Sequence, residues 1–119
     1  MSMEISKKLS NNDYCIEFSE NSHKIAIKGT MRLPGHVYRE SISPEILTFT
    51  EKIATDIELD LSELEYLNSS GISCISMYLT AIKDTEQAVT IVGNRNFSWQ
   101  SMSIENFNLC NENVKIIMQ

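Results

Sequence analysis

The chain has 119 residues, 42% of them hydrophobic, and a formal net charge of −6 at pH 7. These values predict a single globular domain with its own core, and they argue against nucleic acid or an anionic membrane as the main partner, since both attract cationic surfaces. No apolar run is long enough to span a membrane, and no signal-peptide hydrophobic stretch follows the N-terminus, so we expect a cytoplasmic protein.

The first part of the chain predicts a polar lead-in and then a hairpin. Residues 1–12 are mostly polar, and the domain proper is expected to span 13–119. Apolar residues alternate with others from Tyr14 to Phe18 and again from Lys24 to Lys28, with a polar, turn-rich connection between them. This alternation is typical of two neighbouring strands.

The next stretch predicts a loop and then a helix. Residues 30–43 have mixed polarity and favour a loop with room for one short element near 37–42. Ser43 is expected to cap the following helix, because Pro44 tolerates the first helical position and Glu45 complements the helix dipole. One face of this helix carries Ile46, Phe49, Thr50 and Ile53.

The central stretch predicts a buried strand that leads into a helix. Ile57, Leu59 and Leu61 alternate with acidic residues, as in a strand. The short segment from Asn68 to Gly71 follows, and then apolar residues recur at the spacing of a helix. Those helical positions are Ile72, Ile75, Leu79 and Ile82.

The last part predicts a strand, a helix and a final strand, at 88–93, 98–109 and 114–118. A hairpin followed by alternating units favours a mixed sheet whose later strands are parallel. The predicted fold class is therefore α/β, with one sheet of four to five strands and about three helices. Trp99 is expected to anchor the last helix while partly buried.

The strand, the segment Asn68-Ser69-Ser70-Gly71 and the helix after it closely resemble the STAS domain of bacterial anti-sigma factor antagonists. Met31-Arg32-Leu33 and Phe97-Ser98-Trp99-Gln100 extend the resemblance to stand-alone STAS-like regulators. The resemblance implies a STAS-like fold and a phosphorylated serine in this segment. Asn68 departs from the family, which usually has aspartate at this position.

Ser69 is the first candidate for phosphorylation and Ser70 the second. From the local pattern alone, either hydroxyl could simply cap the helix, where backbone N–H groups lack partners. A phosphate would also be favoured there by the helix dipole. The resemblance favours phosphorylation of Ser69.

The same segment and helix are the candidate partner-binding surface. Asn68 is expected to hold the loop through its own backbone, and Gly71 to permit either a close approach of a neighbouring element or an unusual backbone angle. Further along the helix, the side chains beside the core stripe either complete the core or, if exposed, form a docking patch. The candidate partner-binding residues are Asn68, Gly71, Ile72, Cys74, Met77 and Tyr78.

No pattern in the sequence proposes a reaction, a metal or a cofactor. Three widely spaced cysteines (Cys15, Cys74 and Cys110) without a CxxC pair are typical of reduced cytosolic thiols and give a zinc site little support. The acidic residues of the central strand could suggest a magnesium pocket, but alternation along a strand favours a solvated rim. Nucleotide-binding and hydrolase motifs are missing.

The sequence therefore predicts a non-enzymatic signalling switch controlled by reversible serine phosphorylation. The resemblance implies a serine/threonine kinase of the anti-sigma type and a matching protein phosphatase as partners. The alternative is a small-ligand module, in which the N-terminus of the central helix binds a nucleotide or another anion. Arg95 is the basic residue named for that alternative.

Overall fold

Alternating and amphipathic segments form six strands and four α-helices within residues 4–119, the part of the chain that the computed structural model describes. Residues 1–3, at the start of the predicted lead-in, lie outside the described residues. The strands are β1 (Lys7–Ser10), β2 (Tyr14–Ser19), β3 (Lys24–Met31), β4 (Ile57–Leu67), β5 (Val89–Gly93) and β6 (Val114–Met118). The helices are α1 (Gly35–Val37), α2 (Ser43–Ile53), α3 (Ser69–Ile82) and α4 (Ser98–Ser103), with a π-helical turn at Tyr38–Ile42 and 3₁₀ turns at Lys83–Thr85 and Ile104–Leu109.

The strands form one mixed sheet in the order β1-β2-β3-β4-β5-β6. The first three strands are antiparallel, and the pairs from β3 to β6 are parallel. The predicted α/β class and mixed sheet are confirmed, with six strands where four to five were expected. The additional strand is β1, inside the stretch predicted as a lead-in, where Leu9 pairs with Ile16. Its polar side chains suit an exposed edge, so they did not predict a strand.

The hydrophobic core lies on one face of the sheet, under the helices. Leu59 on β4 and Leu79 on α3 are both fully buried there. Phe18 on β2 and Phe49 on α2 pack with ring centroids 5.2 Å apart. Because side chains alternate along a strand, the charged residues of β3 and β4 lie on the opposite face of the sheet, away from this core.

The segment predicted as a loop at 30–43 is largely helical. Backbone hydrogen bonds continue from α1 through the π-helical turn into α2. Ser43 is the first residue of α2 but not of the continuous helical segment, and its hydroxyl contacts Cys74 Sγ and does not cap a helix. The prediction of a Ser43 cap is wrong because the helix begins eight residues earlier; only the short element near 37–42 was anticipated.

The last helix is attached to the middle of β4 by two side chains. Trp99 donates from Nε1 to the carbonyl of Leu64 over 2.9 Å. Gln100 donates from Nε2 to the carbonyl of Leu61 over 2.7 Å. The pairing of β3 with β4 shifts register at this part of the strand, and these bonds satisfy carbonyls there. Trp99 is 9% exposed, in keeping with its predicted role as an anchor.

Candidate functional site

The junction of β4 and α3 is held by Asn68, whose side chain makes three hydrogen bonds. Its Oδ1 accepts from the backbone N–H of Gly71 at 3.0 Å and from the Tyr38 hydroxyl at 2.7 Å. Its Nδ2 donates to the carbonyl of Leu33 at 2.9 Å. Asn68 is thus the N-cap of α3 and also ties the start of α3 to the segment before α1.

This arrangement gives a physical reason for asparagine at a position where the resembled antagonists carry aspartate. A carboxylate could accept from Gly71 and Tyr38, but it has no N–H to offer the carbonyl of Leu33. Two oxygens would then face each other in a half-buried site. The amide is therefore required by the contact with Leu33.

The two serines of this segment occupy different environments. Ser69 is exposed at the first residue of α3, whereas Ser70 is half-buried. Ser70 Oγ and the guanidinium of Arg39 lie 3.7 Å and 3.2 Å from the point that a Cβ on Gly35 would occupy. The two groups are therefore less than about 7 Å apart, and Arg39 makes no ion pair with any residue in 4–119.

Gly71 lies where two elements come too close for a side chain. A Cβ at this position would be 2.2 Å from Leu67 Cδ1 and 2.8 Å from the Tyr38 hydroxyl. The predicted close approach is present, and the residue is buried. Gly71 thus allows α3 to pack against the end of β4.

A groove runs between the α1–α2 segment and α3, with a volume of about 500 Å³. We call it the α2–α3 groove. Its surface is mostly apolar, and Arg39 and Ser70 line it near Gly35. It is lined by Gly35, Tyr38, Arg39, Ser43, Leu47, Ser70, Ser73, Cys74, Met77, Tyr78 and Ala81.

Two polar contacts join the walls of the α2–α3 groove at its floor. Ser43 Oγ lies 3.1 Å from Cys74 Sγ, and Thr50 Oγ1 lies 2.8 Å from the Tyr78 hydroxyl. Burial raises the pKa of Cys74 above its usual range and the pKa of Tyr78 to about 12. Both groups are therefore neutral at physiological pH, and a neutral buried thiol is a poor nucleophile.

The structure separates the candidate partner-binding residues by their exposure. Met77 is 62% exposed on the rim of the α2–α3 groove, and Ile72 is half-buried. Cys74 and Tyr78 are almost fully buried and form the floor. A partner could therefore contact Met77 directly, while the other positions shape or support the surface.

Sequence reasoning missed the opposite wall of the groove. Tyr38, Arg39 and Leu47 line it, and two of them lie in the stretch interpreted as a loop. The spacing of four between the apolar residues Tyr38 and Ile42 was the sequence signal that could have indicated a helix here, and both residues are buried in the structure. Arg95, named for the anion-binding alternative, lines a different depression beside β6.

The acidic residues of β4 form ion pairs on the open face of the sheet. Lys24 lies 3.5 Å from Glu58 and 3.2 Å from Asp60, and Lys28 lies 3.6 Å from Glu63. No group of three His, Cys, Asp or Glu side chains placed to hold a metal ion is found among residues 4–119. These carboxylates balance lysines on neighbouring strands.

The fold and groove define a small single-domain protein with a STAS-like architecture. The chain is similar to apo-SiaC from Pseudomonas aeruginosa, with a TM-score of 0.70 over 95% of this chain and 98% of that one, at 15% identity. A second structure of SiaC from this organism matches with a TM-score of 0.71, at 15% identity and with the same coverage of both chains.

A third similar structure contains a partner. It is a chain from the crystal structure of diguanylate cyclase SiaD in complex with its activator SiaC, also from Pseudomonas aeruginosa. The TM-score is 0.70 over 96% of this chain and 100% of that chain, at 16% identity. No protein-family model matches the chain, and no curated protein matches it by sequence.

These similarities correct the predicted function and partners. The prediction of an anti-sigma type switch that binds a serine/threonine kinase and a matching phosphatase is wrong. The similar structures are of SiaC, which is named as the activator of a diguanylate cyclase and is solved in complex with it. The predicted STAS-like fold stands, and phosphorylation at Ser69 or Ser70 stays a prediction.

Among residues 4–119, no helix is both long and apolar enough to cross a membrane.

Proposed function

We propose that this chain is a non-enzymatic regulator that binds and controls a partner enzyme of the diguanylate cyclase class. The observation that carries the proposal is the α2–α3 groove, an apolar surface with Met77 62% exposed on its rim. Exposed apolar surface of this kind is typical of protein-binding sites. The class of partner comes from SiaC, a protein of the same fold, which is the activator of diguanylate cyclase SiaD in the structure of their complex.

The chemistry of the groove supports binding and proposes no reaction. Its buried hydroxyl and thiol groups are paired with each other and are neutral at physiological pH. Nothing at the floor is therefore activated as a nucleophile or a base. Arg39, which lines the groove near Gly35, supplies a cation that could pair with a carboxylate of the partner.

The roles of the predicted binding residues follow from their burial. Met77 contacts the partner, because its side chain is exposed on the rim of the groove, whereas Ile72 is half-buried outside the groove lining and supports α3. Cys74 and Tyr78 provide the apolar floor on which the partner rests. Asn68 and Gly71 fix the position of α3 relative to α1 and so set the width of the groove.

We further propose Ser69 as a phosphorylation site beside the groove, with Ser70 second. Ser69 is exposed at the start of a 14-residue helix, where backbone N–H groups favour an anion. Ser70 is half-buried and would need a local opening before an enzyme could reach it. Three unpaired cysteines agree with a cytoplasmic location for this regulation.

The direct test of the partner is a measurement of cyclic diguanylate synthesis from GTP by the diguanylate cyclases of the source cells, each purified with and without this chain. We expect one cyclase to be activated. Met77→Glu should weaken its binding roughly tenfold or more, because a carboxylate would be buried against an apolar surface. Met102→Glu is the matched control, since Met102 is 80% exposed and does not line the groove.

Failure of every cyclase to bind or respond would overturn the proposed partner class. Equal loss of activation with Met77→Glu and Met102→Glu would instead show that the groove is not the contact surface.

Modification is tested separately by intact mass measurement and peptide mapping of protein purified from its native cells. A phosphate on Ser69 is the expected result, and a chain that stays unmodified under all growth conditions would contradict it.

A further inference from the structure

The outer edge of β6 is a second surface without a partner inside the described residues. β6 is the last strand in the sheet order, so one of its sides pairs with β5 and the other faces outward. Val89 N–H donates to the carbonyl of Asn113, and Gln119 N–H donates to the carbonyl of Gly93. Since backbone groups alternate along a strand, the odd-numbered residues of β6 bond to β5.

The even-numbered residues of β6 therefore point their backbone groups away from the sheet. The outward groups are the N–H and C=O of Ile116 and Met118 and the C=O of Val114. The N–H of Val114 is taken by the carbonyl of Asn111. No backbone hydrogen bond within residues 4–119 uses these outward groups.

The two edges of the sheet differ in how well they are protected. β1 has consecutive lysines, Lys7 and Lys8, among its four residues, and charged residues discourage pairing at an edge. β6 has one charged residue, Lys115, between β-branched and apolar side chains. Ile117 on β6 is 41% exposed. β6 is therefore the edge at which strand addition is favoured.

We propose that this chain self-associates through β6, with two copies pairing antiparallel about a two-fold axis at Ile116. Ile116 of one copy would then exchange both backbone hydrogen bonds with Ile116 of the other. In this register the N–H of Met118 reaches the carbonyl of Val114 in the second copy. Four hydrogen bonds would then pair all of these outward groups except the C=O of Met118 in each copy, because the N–H of Val114 already bonds to Asn111.

The side chains of β6 are self-complementary in this register. On the open face of the sheet, Lys115 lies opposite Ile117 of the second copy, so no two lysines face each other. On the helix-covered face, Ile116 meets its own copy, beside a shallow depression of about 480 Å³ lined in part by Ile116 and Met118. The rest of that depression is polar and is lined by Arg95, Glu105 and Asn108.

Charges at the ends of β6 also favour a second copy. Arg95 N–H donates to the carbonyl of Gln119, which places Arg95 at the end of β6. Glu112 is exposed just before the start of β6. Antiparallel pairing brings the end of one strand to the start of the other, so Arg95 lies toward Glu112 of the second copy. Neither residue forms an ion pair within residues 4–119.

The test is sedimentation equilibrium of the full chain at several concentrations. An interface of two short strands is smaller than a standard protein interface, so we expect a dimer with a Kd of roughly 10–100 µM. A chain that remains monomeric at roughly 500 µM, well above that range, would overturn the proposal. Met77→Glu should leave self-association unchanged, which separates this inference from the proposed function of the groove.

Two substitutions at Ile117 test the register. Ile117→Glu places a carboxylate opposite Lys115 of the second copy, and Ile117→Lys places a like charge there. The two-fold axis creates this pair of residues 117 and 115 twice in each dimer. We therefore expect Ile117→Glu to lower the Kd of the dimer and Ile117→Lys to raise it, each by roughly 2- to 30-fold. Net-charge repulsion alone gives the reverse order, because the formal charge of −6 becomes −7 with glutamate and −5 with lysine. That reverse order, or equal effects of both variants, would overturn the proposed pairing.

Discussion

At the scale of single residues, the side chain of Asn68 holds the junction of β4 and α3. It caps α3, accepts from Tyr38 and donates to Leu33, and these contacts join three parts of the chain. The sequence predicted that Asn68 holds the loop through the backbone. The partners Tyr38 and Leu33 lie 30 and 35 residues away in the sequence. A local sequence pattern therefore could not predict these hydrogen bonds.

We expect Asn68→Asp to destabilise the fold by about 1–3 kcal/mol at pH 7, because a carboxylate would face the carbonyl of Leu33 without a hydrogen to share. The helix dipole would offset about 0.3–1 kcal/mol of this loss. Urea unfolding monitored by circular dichroism measures the difference. Ser69→Asp is the control, since it places the same charge one residue later at an exposed position. Equal stability of the two variants would contradict the role given to Leu33.

At the scale of elements, α2 and α3 are held together at the floor of the α2–α3 groove. Thr50 Oγ1 donates to the carbonyl of Ile46 and also lies 2.8 Å from the Tyr78 hydroxyl. Since both hydroxyls are buried, this pair contributes to the spacing of the two helices. The width of the groove depends on that spacing.

The Tyr78 hydroxyl should give the fold a specific alkaline sensitivity. Burial raises the pKa of Tyr78 to about 12, from about 10 in the unfolded chain. The folded state therefore favours the neutral phenol, and this stability is present below pH 10 and is lost as the pH rises from 10 to 12. We expect wild type to lose on the order of 2–3 kcal/mol more than Tyr78→Phe over this interval.

The measurement is urea unfolding of both proteins between pH 8 and about 12, the pKa of this phenol in the folded protein. Tyr78→Phe should also cost about 1 kcal/mol at neutral pH, because it removes the hydrogen bond to Thr50. Tyr66→Phe serves as the control, since Tyr66 is 39% exposed. Parallel loss of stability in wild type and Tyr78→Phe would rule out ionisation of Tyr78 as the cause.

At the scale of the whole molecule, one sheet and one core connect the two halves of the chain. The hairpin half joins the alternating half through the parallel pair β3 and β4, and buried residues of both halves share a single cluster. A chain of this size with one core is expected to unfold in a single cooperative transition.

We expect urea unfolding followed by Trp99 fluorescence to coincide with unfolding followed by far-ultraviolet circular dichroism. Trp99 is the one tryptophan in the chain and reports on the contact between α4 and β4. Circular dichroism reports on all helices and strands. An earlier fluorescence transition would show that α4 separates before the sheet unfolds, and it would contradict a single cooperative unit.

The sequence by itself determined the α/β class, the central strand and helix, and Asn68 to Gly71 as their junction. These features depend on periodicity, which neighbouring residues control, whereas a cap by Ser69 or Ser70 is wrong because Asn68 caps α3. Strand β1 depended on tertiary structure, since pairing with β2 stabilises it. The helical continuation from α1 into α2 did so as well, since packing over α3 stabilises it. The α2–α3 groove and the open edge of β6 arise from residues far apart in the chain, so only the fold brings their lining and backbone groups together.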